Sequence, residues 1–283
     1  PWDASPGPCG DPSIGGADCD EYVFREVASG GGSSPCALTA GGNIVCWGYN
    51  GSRQAEPPAG TFSMVSVGME SACGVTLAGG LVCWGSDVAG QTQPPPGTFT
   101  SVTTGWAHSC AIRTDQTVAC WGSEEYGMSA PPPGKYRSVS AGSDHTCGIT
   151  QEDLLTCWGS KTEGQTSAPA GQFLAVSAGA SHSCAVTLTG DVECWGRDEP
   201  FATCTPPDGS FLSVSAGEDF SCGLTLDGRI VCWGYDAYGL GSPPEGEFIS
   251  VAAGMDHACA VTPEGALTCW GGDGVNQLTP PSP

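Results

Sequence analysis

Apolar and polar positions change places along this chain in runs too short for a helix. Residues 173–178 (FLAVSA) read as one strand, with small side chains suited to a crowded position. A glycine-led turn, 179–182, follows. Residues 183–188 read as a second strand of period two, 189–191 as a hairpin turn with Gly190 at its centre, and 192–195 as a third strand. A loop with Pro and Gly then leads to a short fourth strand and a Pro-Pro-x-Gly turn. Strands of this length, with turn signals every 8–12 residues, predict an all-β array. No stretch holds the 3.6-residue period of an amphipathic helix.

The same pattern returns seven times. Its first cysteine is Cys36, Cys73, Cys110, Cys147, Cys184, Cys222 and Cys259, at steps of 37 residues with one step of 38. Ten positions after each comes a second: Cys46, Cys83, Cys120, Cys157, Cys194, Cys232 and Cys269, each followed by Trp-Gly. A fixed period of this size marks a repeat architecture. Four-stranded units repeated seven times fit a closed β-propeller, which leaves only short sheet edges. An open solenoid would show atypical capping repeats, and the first and last repeats here are regular. The domain boundary follows: 1–21 is a Cys/Pro/Gly-rich tail and 22–283 is the propeller.

The two cysteines of a repeat flank its hairpin turn symmetrically, so they face each other across two strands, close enough for a disulfide. Zinc is the competing ligand, but nine intervening residues do not match a short Cys-x-x-Cys knuckle and the second ligand pair is missing. Seven intra-blade disulfides and an oxidising compartment are expected. Cys9 and Cys19 are expected to close a loop in the tail. That leaves Cys204, within the only insertion, between Trp195 and Phe211. It is free, paired with a tail cysteine or intermolecular.

The recurring G-x-x-H-S/T-C-A/G-[VIL]-T, G-x-[VI]-x-C-W-G, G-Q and P-P elements resemble the RCC1-like propeller repeat, over about residues 22–281. The form WGSKTEGQT at Trp158–Thr166 is most similar to that of secreted bacterial β-lactamase inhibitors of this fold. The resemblance implies seven blades, ring closure by strands from both termini, and a histidine that braces its turn through backbone hydrogen bonds. Light-sensing members of the family use clustered tryptophans at the turn holding Trp106. No other repeat carries a tryptophan there, which argues against that role.

The chain carries 30 acidic and 8 basic residues, a formal net charge of −22. Nucleic-acid binding needs a Lys/Arg surface, so that partner is excluded. No apolar run approaches the ~18 residues of a membrane span. No apolar leader opens the sequence, and the expectation is a leader removed ahead of Pro1. The localisation expected is extracellular, secreted or at the cell surface. Asn50-Gly51-Ser52 matches a glycosylation sequon, although a bare turn is the simpler reading.

No nucleophile elbow, His-Glu-x-x-His, phosphate loop or EF-hand loop occurs. His108, His145, His182 and His257 share one repeat position, which raises a four-histidine metal ring. Ser34, Ser71 and Phe220 interrupt it, so neither metal nor cofactor is expected. Neighbouring carboxylates such as Glu124/Glu125 and Glu218/Asp219 read as solvated loop residues rather than an acid/base pair. The chain is not expected to be an enzyme.

In a meander, loops 1–2 and 3–4 leave on one face. Here those loops are acidic and carry large apolar groups, while the opposite loops read as short, Pro-rich and mostly small. Aromatic anchors within a charged rim mark protein-binding hot spots. The residues expected to contact a partner are Tyr49, Glu70, Trp106, Glu125, Tyr126, Asp144, Glu218, Asp219, Tyr235, Tyr238 and Asp256. The function expected is binding of a protein with a basic patch, in its sharpest form inhibition of a secreted enzyme such as a β-lactamase. A glycan ligand, as in a lectin-like propeller, and a structural or adhesive role in an extracellular assembly are the alternatives.

Overall fold

The computed structural model describes residues 23–280. They form seven antiparallel sheets, one per repeat, at 24–46, 62–85, 99–122, 136–159, 173–196, 211–234 and 250–271. These are the seven blades. In blade five the inner strand is Phe173–Ala178, the middle His182–Thr187 and the outer Val192–Gly196, so the sequence boundaries hold within a residue. Each half-cystine pair lies in register, as Cys184 opposite Cys194, and seven disulfides join them across Cα separations of 4.0–4.1 Å. The first cysteine of every pair is fully buried.

The expected fourth strand does not form: each sheet has three strands. The segment after the outer strand is instead a chain of turns. In blade four, Gly164 bonds back to Lys161 and Ser167 back to Gly164, and Pro residues beyond it cannot donate to a ladder. This segment still does inter-blade work. Each blade's Trp donates its indole N–H to a carbonyl in the preceding segment, as Trp84 to Gln54, Trp195 to Gln165 and Trp233 to Thr203, at 2.8–3.0 Å. The acceptor is backbone, which is why Met128, Thr203 and Leu240 replace glutamine without loss of the joint. Where glutamine is present, its side chain accepts the N–H two residues earlier and stiffens the turn.

Closure of the ring repeats these joints. Trp47 donates to the Gln277 carbonyl at 2.8 Å, and the Phe24 N–H bonds to the Gly265 carbonyl at 2.9 Å, as Phe62 does to Gly42. No sheet among the described residues mixes strands from the two ends. Among the described residues the last segment docks on the first blade; a strand supplied by residues 1–22 or 281–283 lies outside the described residues. Apolar cores lie between neighbouring blades: Phe62 of blade two packs with Leu38 and Ile44 of blade one, and Phe99 of blade three with Val75 of blade two.

Candidate binding face

The turn between inner and middle strands sits nearest the axis. Gly105 donates its N–H to the His108 carbonyl at 2.8 Å, and Gly68, Gly142, Gly179, Gly217 and Gly254 do the same in their blades. Glycine is needed here for closeness: a Cβ on Gly105 would stand 2.2 Å from the Gly142 carbonyl oxygen, and one on Gly142 equally close to that of Gly179. Below the turns, inner-strand hydroxyls accept N–H groups from the next blade, as Ser66 from Thr104, Ser140 from Ala178 and Ser215 from Ala253. The turns surround a cavity of about 290 Å³. The residue after each turn glycine lines it: Met69, Trp106, Ser143, Ala180, Glu218 and Met255, with Gly31 in blade one.

The histidines are spent on this scaffold. Nε2 of His108, His145 and His182 lies 2.7–2.8 Å from the hydroxyl of Thr146, Ser183 and Ser221 in the following blade. His257 reaches Ser29 of blade one at 2.8 Å. The brace is thus double: the histidine carbonyl accepts the glycine N–H within the turn, and the ring bonds across to the next blade. Burial pushes the rings of His108, His145 and His182 down to about 4, 3 and 4, so they stand neutral in the fold. Phe220 holds the same position in blade six, and there the residue facing it is Ala258. Histidine meets a hydroxyl and phenylalanine meets a methyl.

His182 pairs with Gly196, so the segment after the outer strand emerges at the same end as the inner turn. The residues expected to bind a partner therefore do share a face, but in separate groups. Trp106 (54% exposed) and Glu218 stand at the central cavity. Around blades three and four, Glu125 and Tyr126 occupy a single 3-10 turn beside Asp144, whose carboxyl is pushed up by burial and then by the Glu125 charge. Around blades five to seven, Asp219 forms an ion pair with Arg197, while Tyr235 packs on Phe201 with ring centroids 4.6 Å apart. Burial, then the charge of Asp219, raises Glu218. Asp256 accepts from the Gln277 amide and lies 3.5 Å from the His257 ring. Glu70 accepts from the Ser52 hydroxyl at 3.3 Å. Tyr49 and Tyr238 are exposed, in the segments after blades one and six. Asn50 of the sequon turns back on its own loop, donating to Glu56 and accepting from Ala55.

Two features differ from the sequence expectation or lie outside it. The opposite face is not lined by small residues: Leu77, Leu174, Leu188, Leu212, Leu226 and Ile249 are exposed there, at hairpin turns and at the starts of inner strands. Their period-two spacing had placed them as strand residues without showing which end they capped. Cys204 is half-buried and joined to no described cysteine, and burial pushes its thiol up. The expected Cys9–Cys19 pair lies outside the described residues.

The chain matches the family described as Regulator of chromosome condensation (RCC1) repeat at residues 99–127, 136–165, 173–199, 211–240 and 248–277, more than half its length. No curated protein sequence matches it. Among solved structures, the entire ectodomain of the receptor kinase CR4 from Physcomitrella patens is 27% identical, with a TM-score of 0.76, covering 88% of this chain and 73% of that one. The CRINKLY WD40 ectodomain of the Arabidopsis thaliana receptor kinase ACR4 is 26% identical, with a TM-score of 0.74 over 88% of this chain and 97% of that one. Prp20p from Saccharomyces cerevisiae, studied for binding to Gsp1p and histones, shares the fold at 15% identity, with a TM-score of 0.72 over 91% and 84% of the two chains.

Proposed function

We propose that this chain, which belongs to the RCC1 repeat family, is an extracellular, non-enzymatic propeller that binds another protein through its acidic face. One observation carries the reading. On six turns closed by the same glycine bond, the residue after the glycine lines the central cavity and differs from blade to blade, including Trp106, Met69, Met255 and Glu218. A rigid scaffold with varied loop residues suits recognition of one irregular surface. Seven disulfides and the likeness to two receptor ectodomains support an extracellular setting. With a formal charge of −22, the complementary partner presents Lys and Arg, and salt weakens the contact. Blocking of a secreted enzyme such as a β-lactamase is the sharpest form of this reading and rests on the Trp158–Thr166 resemblance.

The test is capture of proteins from the native extracellular medium on the intact chain and on a variant with Trp106, Tyr126, Asp144 and Tyr238 changed to Ala. A protein held by the first, lost from the second and released by moderate salt is the expected result. Equal retention by both would move the site off this face.

A further inference from the structure

The central cavity is not symmetric in its hydrogen bonding. The carbonyls of Gly179, Gly217 and Gly254 accept N–H groups from Ser143, Ala180 and Glu218 of the preceding blades, at 3.1–3.2 Å. Gly105 and Gly142 also line the cavity, and their carbonyls accept no hydrogen bond among the described residues. Thr104, 4% exposed in the same lining, has a hydroxyl without a partner, but that oxygen is itself buried behind the wall. Buried acceptors are rarely left unpaired in a finished fold. This sector therefore offers free acceptors and an aromatic ring, with the Glu218 carboxylate elsewhere in the lining.

We infer that the cavity receives one lysine side chain of the partner protein. An ammonium carries three donors and no acceptor, which matches unpaired carbonyls. The indole of Trp106 attracts a cation through its face, and Met69 and Met255 give the lysine stem apolar contact. The space of about 290 Å³ admits such a side chain. An anion would meet carbonyl oxygens and Glu218, and a neutral apolar group would leave the acceptors unpaired.

The inference rests on the acidic face being the docking surface, yet it is tested without a partner. The chain has four methionines, so methyl-labelled methionine gives a four-signal spectrum. Nα-acetyl-lysine N-methylamide is titrated against its uncharged norleucine counterpart. The lysine probe should shift Met69 and Met255 saturably, with a midpoint at or below about 10 mM, and leave Met64 and Met128 in place. The norleucine probe should bind at least about 5-fold more weakly, and Trp106→Ala should weaken the lysine probe by about 5-fold or more. No saturable shift, or equal shifts with both probes, overturns the inference while leaving partner capture on the face intact. Saturable lysine binding with no captured protein would keep the cavity assignment and remove the wider function.

Discussion

Acid should loosen this ring through its inter-blade histidines. His108, His145 and His182 are held neutral, with their rings brought from 6.5 to about 4, 3 and 4 by burial. In the unfolded chain the same rings take up a proton near 6.5. Their contribution to stability is therefore whole above that pH and is lost as pH falls toward about 4. At pH 4.5, two units below the unfolded value, each costs about 2.7 kcal/mol at roughly 1.36 kcal/mol per unit. Three together cost about 8 kcal/mol, comparable to the whole net stability of an ordinary domain. The chain supplies its own control in Phe220 and Ala258. A Cβ on Gly217 would stand 2.9 Å from the Phe220 ring, and one on Gly142 2.7 Å from the His145 ring, so the two rings fill equivalent spaces. His145→Phe with Ser183→Ala should therefore fold. In urea titrations with disulfides intact, between pH 8 and 4.5, it should lose about 2.7 kcal/mol less stability than the parent. Comparing the two cancels the common effect of carboxylate protonation. Equal losses in both would refute the argument, as would any of these three rings titrating near 6.5 by proton NMR of the four histidines.

Three further outcomes follow from the scaffold. Replacing Cys184 and Cys194 together by Ala frees a short loop in the unfolded chain, and urea unfolding should show a loss of about 3 kcal/mol. Gly105→Ala drives a methyl to 2.2 Å from the Gly142 carbonyl and should cost about 1–3 kcal/mol by thermal melting. Gly31→Ala, with nothing within 4 Å of its Cβ, should stay within about 0.5 kcal/mol of the parent.

Repeats made most of the fold legible. The spacing of Cys184 and Cys194 about a glycine turn fixed both the hairpin and its register, because only one register places the sulfurs opposite. The fourth strand is expected from the four-stranded repeat unit, but pairing depends on N–H groups that Pro lacks and that turn bonds consume. The joint between the last segment and the first blade was not legible. The Gly-Gln signal recurs in the sequence, but nothing in it says that the Gln277 carbonyl meets Trp47, 230 positions away. The histidine role was half legible. A shared position pointed to structure, and its partner was visible as the Ser or Thr that follows the next blade's His or Phe. The face was legible through strand parity. Its division into two sectors was not, since that depends on which loop of one blade leans on the next, as Arg197 does on Asp219.

A ring of seven similar blades has no direction of its own. Any site built from repeated residues exists several times, so the buried Cys, Trp and His positions cannot orient a single partner. Orientation has to come from residues that occur once. On the proposed binding face these are Trp106 and the inserted segment of blade five, while the Glu125–Tyr126 turn has one counterpart, at Tyr238. The inserted segment is largely self-satisfied: Arg197 neutralises Asp219, Phe201 covers Tyr235, and Asp198 accepts the Cys204 N–H. The sector of blades three and four has no such partner. Tyr126 is 64% exposed, Asp144 lies against the Glu125 charge, and the carbonyls beside Trp106 are open. Unspent charge and unspent hydrogen bonds coincide there, so under the proposed function that side of the ring is where a basic partner gains most.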